Sequence, residues 1–361
     1  MPQSHALDAL KHAPERSVLV VGDVMLDRFQ YGSVERVSPE APIPVFTFDH
    51  EETMLGGAGN VVRNLLSLGA KATFLSIIGD DATARELLTL VAQEKQLVPY
   101  LLPEKDRVST VKTRFVSGTQ QLLRADHETR AAISAASEAR LCEILSEEIR
   151  QHQAVILSDY GKGVLTPRVV RCAINAAQKA GVPVFVDPKQ RDLSLYDGAT
   201  LISPNAREFL LATGREGWSE ETFVTDALTL INTHRLEGML ITRGAAGMSL
   251  ITKDGTHTHI PTQARDVFDV SGAGDTAIAT LALGVACGIA LPEAAMMANL
   301  AAGIVVGRLG TAVVHHSDLT TALHAQQSLA MHEKILTLPL ARDAVANWKR
   351  DGLSVGFTNG C

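Results

Sequence analysis

Short apolar runs of strand type alternate along the chain with longer segments of helical pattern. The apolar runs are nearly continuous, which is typical of strands buried on both faces. This alternation predicts an α/β fold in which a mostly parallel sheet is covered by helices on both sides. The predicted strands lie at 17–23, 71–81, 154–161, 182–189, 200–205 and 238–244, and the predicted helices at 56–70, 82–95, 167–181 and 220–235.

Two segments depart from this rhythm, because apolar and polar residues alternate one by one within them. They cover residues 31–54 and 108–126, and such alternation is typical of strands with one exposed face. We expect them to form a small antiparallel sheet that projects from the main layer as a β lid. Its open edges and apolar face could be covered by a second copy of the chain in a homodimer.

Composition narrows the class of protein. The chain has 361 residues, of which 46% are hydrophobic, enough for one large α/β domain. The formal net charge is −7 and no basic block stands out, so a nucleic-acid partner is not expected. The apolar tract around 277–307 is interrupted by glycine, proline and polar residues, which predicts two buried helices and no membrane span. The polar N-terminus lacks the apolar core of a signal peptide, and we expect a cytoplasmic protein.

The four cysteines, Cys142, Cys172, Cys287 and Cys361, lie far apart in the sequence. Their spacing matches no metal-ligand pattern. We therefore expect neither a metal centre built on cysteine nor a disulfide framework.

Polar clusters follow most of the predicted strands. In open parallel sheets, ligands bind at the carboxyl ends of the strands, so several clusters at such ends predict a binding site there. The clusters are Asp23 and Asp27, residues 56–60, Asp159, Asp187 and Lys189, Asn205 and Glu208, Arg243 and Gly244, and residues 269–275.

The segment 269–276, Asp-Val-Ser-Gly-Ala-Gly-Asp-Thr, carries the most specific signal. Gly272 and Gly274 would let backbone N–H groups approach a ligand closely. A helix that begins there offers unpaired N–H donors and the positive end of its dipole to anionic oxygens. Asp275 should stay ionised beside this anion site and be a weak base, which suits phosphoryl transfer. The alternative is a glycine turn with an acidic helix cap.

This segment resembles the C-terminal signature of the ribokinase-like, or PfkB-type, sugar kinases, and residues 56–70 resemble their N-terminal signature. Residues 203–209 resemble the family's Asn-x-x-Glu element, and residues 241–248 its nucleotide-contacting glycine turn. No Walker-type GxxxxGK[ST] motif is present. The resemblance implies a ribokinase-like three-layer α/β/α domain over 1–330. It also implies ATP as phosphoryl donor and Mg²⁺ as cofactor, with a monovalent cation such as K⁺ as a further candidate.

A narrower resemblance, to the bacterial kinases of D-glycero-β-D-manno-heptose 7-phosphate, rests on residues 22–46, 120–126, 157–166 and 187–189. It implies phosphorylation of that sugar phosphate at O1, towards the ADP-heptose of the lipopolysaccharide inner core. In many bacteria this kinase is fused to an adenylyltransferase, whose first strand is similar to the last residues here. We therefore expect 331–361 to hold a linker and that strand, without adenylyltransferase activity. A kinase of another sugar and a non-catalytic nucleotide-binding scaffold remain alternatives.

The resemblance implies roles for individual residues. Asp275 would be the catalytic base, and the backbone of Gly272, Ala273 and Gly274 would stabilise the transferring phosphoryl group. Asp269 would support the loop or, through water, the metal; a plain loop cap is the alternative. The residues implied at the ATP site are Asn205, Ala206, Arg207, Glu208, Arg243, Gly244, Gly247 and Asn299.

Some of these residues also have simple structural explanations. Glu208 would reach Mg²⁺ through water, since magnesium keeps several waters, but with Asn205 it could form a capping box. Asn299 could be a satisfied polar group of the core.

Contacts to the sugar are predicted for Asp23, Asp27, Gly56, Gly57 and Asn60, although Asp23 could merely end its strand. The 7-phosphate needs a cation. The candidates are Arg114, Arg124 and Lys189, with Lys162 behind them, and each could instead be a solvated surface charge.

Overall fold

The computed structural model describes residues 2–262, 269–308 and 310–332, together with residues 342, 345 and 356. Its strands, in chain order, are β1 Ser17–Gly22, β2 Val24–Val37, β3 Pro44–Gly57, β4 Lys71–Ile78, β5 Leu97–Pro103, β6 Thr110–Ser117, β7 Gln120–His127, β8 Ala154–Ser158, β9 Val184–Asp187, β10 Leu201–Ile202, β11 Gly238–Thr242, β12 Met248–Thr252 and β13 His257–Ile260. Its α-helices are α1 Pro2–Leu10, α2 Ala58–Ser67, α3 Ala82–Ala92, α4 Ala135–Glu148, α5 Pro167–Ala180, α6 Ala206–Thr213, α7 Glu220–Thr233, α8 Ala273–Ala286, α9 Leu291–Val305 and α10 His316–His332.

A nine-stranded sheet, in the order β13-β12-β11-β10-β9-β8-β1-β4-β5, forms the middle layer of the described structure. Pairing is parallel from β11 to β5, while β12 and β13 add an antiparallel edge. Along β1, Val18 and Val20 pack into one core, and Leu19 and Val21 into the other. Because both faces are buried, the strands are nearly continuous apolar runs. The predicted α/β class is confirmed.

Helices cover the two faces of this sheet. Apolar side chains of α1, α2, α8 and α9 belong to one core, and those of α4, α5 and α7 to the other. The apolar tract forms the two predicted helices, α8 and α9. Within the described residues, no helix is both long and apolar enough to span a bilayer.

A separate four-stranded sheet has the order β3-β2-β6-β7 and is the predicted β lid. The pairs β2–β3 and β6–β7 are antiparallel, but β2 and β6 run parallel to each other. This one pairing differs from the all-antiparallel expectation. The strands β1 and β5 run in the same direction in the main sheet. Because β2 follows the carboxyl end of β1 and β6 follows that of β5, β2 and β6 also run in the same direction.

The expectation about the cysteines is wrong for one pair. Cys142 on α4 and Cys172 on α5 form a disulfide with their Cα atoms 5.7 Å apart. The two helices pack side by side on one face of the sheet, and this proximity is not visible in a sequence separation of 30 residues. The predicted linker and strand over 331–361 lie almost wholly outside the described residues.

Candidate active site

A cavity of about 810 Å³ opens at the carboxyl ends of β8, β9, β10 and β11, where open parallel sheets bind ligands. The first turn of α8 and one side of α9 close it. Most of the predicted nucleotide and catalytic residues therefore meet at one place. Its lining includes Asp159, Tyr160, Asp187, Lys189, Asn205, Ala206, Arg207, Glu208, Gly244, Gly247, Gly272, Ala273, Gly274, Asp275 and Asn299.

Asp275 lies in the first turn of α8 with only 4% of its surface exposed. The Tyr160 hydroxyl donates to its Oδ1 at 2.7 Å, and the Asn60 amide donates to its Oδ2 at 2.9 Å. Donors from two different elements thus fix the orientation of the carboxylate. Each oxygen keeps a second lone pair for a further partner.

Burial changes the strength of this acid. Desolvation raises the pKa of Asp275 to about 6, although the hydrogen bonds from Asn60 and Tyr160 favour the charged form. The negative charge of Asp27 adds to the rise, and the positive charge of Lys112 opposes it. The sequence-based expectation of a weak base is therefore wrong. The carboxylate is a stronger base than a solvated aspartate and is still mostly ionised at pH 7.

The N-terminus of α8 provides a place for an anion beside this carboxylate. Gly272, the residue before the helix, has a φ of 80° in the left-handed region. A β-carbon there would lie 2.6 Å from Nδ2 of Asn60, so glycine is required by both the turn and the close packing. The N–H groups of Gly274 and Asp275, in the first turn, have no acceptor within the helix and lie at the positive end of its dipole.

Two asparagines of α2 hold the first turn of α8. Asn60 donates to Asp275, and Oδ1 of Asn64 accepts from the hydroxyl of Thr276 at 3.0 Å. A spacing of four residues puts both amides on the same side of α2. The structure thus brings Asn60 to the candidate base, whereas a sugar contact was predicted for it. Asn64 was not predicted. Its spacing of four residues from Asn60, in a largely apolar helical pattern, could have indicated that both lie on one side of the helix.

Asp23 anchors the loop that follows β8. Its carboxylate accepts the backbone N–H groups of Tyr160, Lys162 and Val164 at 2.9, 3.1 and 3.0 Å. These bonds position the loop and with it the Tyr160 hydroxyl on Asp275. This geometry gives no support to the predicted direct contact between Asp23 and a sugar. Tyr160 is absent from the sequence-based predictions, although it follows directly after a polar residue at a strand end.

Charged side chains of three strands lie on one face of the β lid, and the Nζ of Lys112 among them is 5.6 Å from the ring centre of Tyr160. We call this surface the inner face; it is formed by Asp27, Lys112, Arg114, Arg124 and Asp126. Arg114 pairs with Asp27 at 2.5 Å, and Arg124 pairs with Asp126 at 2.9 Å. The structure therefore brings Asp27, Arg114 and Arg124 together, but both arginines already have carboxylate partners.

Gly56 and Gly57 are required by packing at the base of the β lid. A β-carbon at Gly56 would lie 2.1 Å from Oδ2 of Asp27. Gly57 turns the chain from β3 into α2 with a φ of 57°. The contact of Gly56 is thus with a charged side chain of the inner face, and a sugar contact for either glycine stays a prediction.

On the opposite side of the cavity, Asn205 and Glu208 begin α6. Oδ1 of Asn205 accepts the N–H of Glu208 at 2.9 Å, and Oε2 of Glu208 accepts the N–H of Asn205 at 3.0 Å, so the capping box is confirmed. Lys189 lies here too, with its Nζ 3.3 Å from Oε1 of Glu208. It was predicted beside the sugar phosphate, but its contact is with a residue of the predicted nucleotide side.

The remaining predicted residues have mixed outcomes. Arg243 does not line the cavity, because its guanidinium pairs with Glu220 and stacks 4.9 Å from the ring centre of Phe223. Asn299 does line it, while its amide donates to the carbonyl of Pro261 at 2.9 Å. Oδ1 of Asp269 accepts the N–H of Ser271 at 2.8 Å. This contact is the one expected if Asp269 caps the loop.

A signature glycine turn, a buried carboxylate beside a helix N-terminus and a cavity at the strand ends together define a sugar kinase of the ribokinase type. The chain belongs to the PfkB family: the family described as pfkB family carbohydrate kinase matches residues 15–317. It is 49% identical over 344 residues to the bifunctional protein HldE of Paramagnetospirillum magneticum, covering 95% of this chain and 70% of that protein. It is 50% identical over 346 residues to HldE of a Caulobacter species, covering 96% and 70%.

Solved structures agree on the fold. Phosphofructokinase-2 of Escherichia coli, in a complex with potassium, superposes with a TM-score of 0.70 at 21% identity, covering 86% of this chain and 98% of that one. Ribokinase of Arabidopsis thaliana, in a complex with ribose and ATP, gives a TM-score of 0.65 at 17% identity, covering 85% and 98%. At these identities the likeness shows a common fold.

Proposed function

We propose that this chain transfers the γ-phosphoryl group of ATP to O1 of D-glycero-β-D-manno-heptose 7-phosphate. The observation that carries the proposal is the Asp275 carboxylate, fixed by Asn60 and Tyr160 beside the free N–H groups of α8. A base next to an anion site is what phosphoryl transfer to a hydroxyl needs. The choice of sugar rests on the resemblance of residues 22–46 and 157–166 to the heptose kinases, and similarity to the HldE proteins supports it.

In the proposed reaction, O1 of the sugar attacks the γ-phosphorus while Asp275 accepts the hydroxyl proton. A bond forms between O1 and phosphorus, and the bond from phosphorus to the β,γ-bridging oxygen breaks, so ADP leaves. The N–H groups of Gly274 and Asp275 stabilise the negative charge on the transferring group. Asp275 then releases its proton to solvent, which a pKa of about 6 permits at neutral pH.

ATP would lie along the wall of the cavity formed by Asn205, Gly244, Gly247 and Asn299, with its phosphates towards α8. The charges on this side fit a metal bound with the nucleotide. Desolvation, followed by the negative charges of Asp275 and Glu208, raises the pKa of Asp187 well above its ordinary value. Added positive charge would relieve this repulsion. Asp187 and Glu208 would hold Mg²⁺ through water, and the ion would neutralise charge on the ATP phosphates.

Initial rates of ADP release across a panel of acceptors test this function. The panel contains the heptose 7-phosphate, the same heptose without phosphate, ribose and fructose 6-phosphate. We expect kcat/KM for the heptose 7-phosphate to exceed that for every other acceptor by at least about tenfold. Equal turnover of ribose or fructose 6-phosphate would reject heptose as the substrate and keep the kinase class. Failure to phosphorylate any acceptor would favour a nucleotide-binding scaffold.

We also propose that two chains associate through the β lid. Val37, Phe48 and Leu123 on its strands are 67%, 56% and 59% exposed, so the β lid presents several large apolar side chains to solvent. Its outer strands, β3 and β7, have free edges within the described residues. Light scattering is expected to give twice the chain mass of 38.6 kDa, and Leu123→Asp should shift this mass towards that of one chain. A wild-type mass of one chain at every concentration would contradict the proposal.

A further inference from the structure

The part of the inner face formed by β2, β6 and β7 carries more positive than negative charge, while Glu52 on β3 adds a carboxylate opposite Phe29. That part has three cations and two carboxylates, and the ion pairs Arg114–Asp27 and Arg124–Asp126 use both carboxylates. Lys112 is left over: among the described residues, no carboxylate oxygen lies within ion-pair distance of its Nζ. An excess positive charge that faces a substrate site is a place for a substrate anion.

Other cations on the sugar side of the site have partners in the protein, and Arg207 lines the nucleotide side of the cavity. Lys162 pairs with Glu128 at 2.6 Å, and Lys189 pairs with Glu208 on the nucleotide side. Arg107 donates to backbone carbonyls of Ala131 and Lys162. Lys112 therefore differs from the cations suggested by the sequence for the 7-phosphate, because each of those already has a partner in the protein.

The position of Lys112 ties it to the candidate base. Its Nζ lies 5.6 Å from the ring centre of Tyr160, whose hydroxyl donates to Asp275. One tyrosine therefore contacts both the ammonium group and the carboxylate. In a sugar phosphate, the phosphate is several bonds away from the anomeric hydroxyl. An acceptor with its O1 at Asp275 can thus extend along Tyr160 and place its other end at Lys112.

We propose that Lys112 binds the phosphate group that the acceptor sugar already carries, and so selects phosphorylated sugars over neutral ones. This inference rests on the proposed function and adds to it the residue that recognises the phosphate. Partial burial also favours such a role, since desolvation lowers the pKa of Lys112 and a bound anion would restore the stability of its charged form.

The test compares Lys112→Met, Lys112→Arg and, as a matched control, Lys105→Met. Lys105 is exposed in the loop between β5 and β6 and has no ion pair among the residues described. For each variant, kcat and KM are measured with the heptose 7-phosphate and with the same heptose lacking the phosphate. The readout is the ratio of kcat/KM for the phosphorylated sugar to that for the neutral sugar.

We expect Lys112→Met to lower this ratio by about 10-fold to 100-fold, as loss of one charge-assisted hydrogen bond implies. The loss should come mainly from KM for the sugar phosphate. Lys112→Arg should restore most of the ratio, and Lys105→Met should leave it at the wild-type value. An unchanged ratio in Lys112→Met overturns the proposal. So does an equal fall with both sugars, which would mean that Lys112 supports the fold or the electrostatics of Asp275.

Failure of the proposed function has a different signature. If the wild-type chain prefers another sugar phosphate, heptose is the wrong acceptor, and the same ratio measured with that sugar and its neutral form decides the role of Lys112. If the wild-type chain phosphorylates neutral sugars as well as phosphorylated ones, the selection assigned to Lys112 is overturned as well.

Discussion

Replacing Asp275 by asparagine is expected to lower kcat by a factor of about 10² to 10⁴ and to leave KM for ATP within about threefold. The amide has the shape of the carboxylate and can keep both contacts, because Asn60 can donate to its oxygen and the Tyr160 hydroxyl can accept from its nitrogen. It cannot accept the proton of the sugar hydroxyl. Steady-state kinetics with both substrates check the result, and turnover at the wild-type level would remove Asp275 from the mechanism.

The same Asp275→Asn variant is expected to be more stable than the wild type at pH 8. The pKa of Asp275 is raised from 3.8 to about 6 in the folded state, so the folded chain holds its proton more tightly. The stability that comes with the protonated form is fully present below pH 3.8 and is lost as the pH rises through about 6. Above that pH, the buried charge costs about 1 to 3 kcal/mol, which asparagine avoids.

Thermal melts of the wild type and the variant at pH 4.5 and pH 8 separate this charge effect from a change in stability that is the same at every pH. The stability gained by Asp275→Asn should be larger at pH 8, where the wild-type carboxylate is charged. An equal gain at the two pH values would mean that the pKa of Asp275 is not raised.

Replacing Gly272 by alanine is expected to lower both stability and kcat. The left-handed backbone at Gly272 and the 2.6 Å approach of the added β-carbon to Asn60 together should cost about 1 to 3 kcal/mol. Because Asn60 must move, Asp275 loses a donor, and kcat should fall by at least about tenfold. Thermal melts and initial rates measure the two effects.

Gly274→Ala is the matched control for stability. Gly274 is two residues further along, its φ is not positive, and a β-carbon there would have no atom within 4 Å. Its melting temperature should therefore equal or slightly exceed that of the wild type, since alanine is the better helix former. Equal stability of Gly272→Ala and Gly274→Ala would contradict the assigned role of Gly272.

The layers of the fold could be predicted because buried parallel strands are visible as apolar runs. The strand β5 was missed for a physical reason: it contains Pro99 and Pro103, and proline is tolerated only because β5 is at the edge of the sheet. The strand β13, His-Thr-His-Ile, has no apolar run and, in the part of the chain that the structure describes, pairs with β12 alone. Edge strands of these kinds depend on tertiary context more than on their own sequence.

The candidate site was predictable where chemistry needs a particular residue in a particular turn, as at Gly272 and Asp275. It was less predictable where a side chain acts through a neighbour. The sequence shows a tyrosine after Asp159, but only the folded chain shows its hydroxyl on Asp275. The predicted place of Arg243 in the cavity lining was not met for a different reason. Its sequence neighbours Thr242 and Gly244 line the cavity, but its own side chain points away and stacks on Phe223.

The anchoring of the loop after β8 has a consequence for how this enzyme can diverge. Among the described residues, the side-chain oxygens of Asp23 accept from the main-chain N–H groups of residues 160, 162 and 164, so the anchor depends on the length of the loop and not on the side chains of the last two. Kinases that diverge from this chain can exchange the side chain of residue 162, whereas that of Val164 is buried in the core. A single insertion or deletion between 160 and 164 would break the register of the three donors and displace the tyrosine from Asp275.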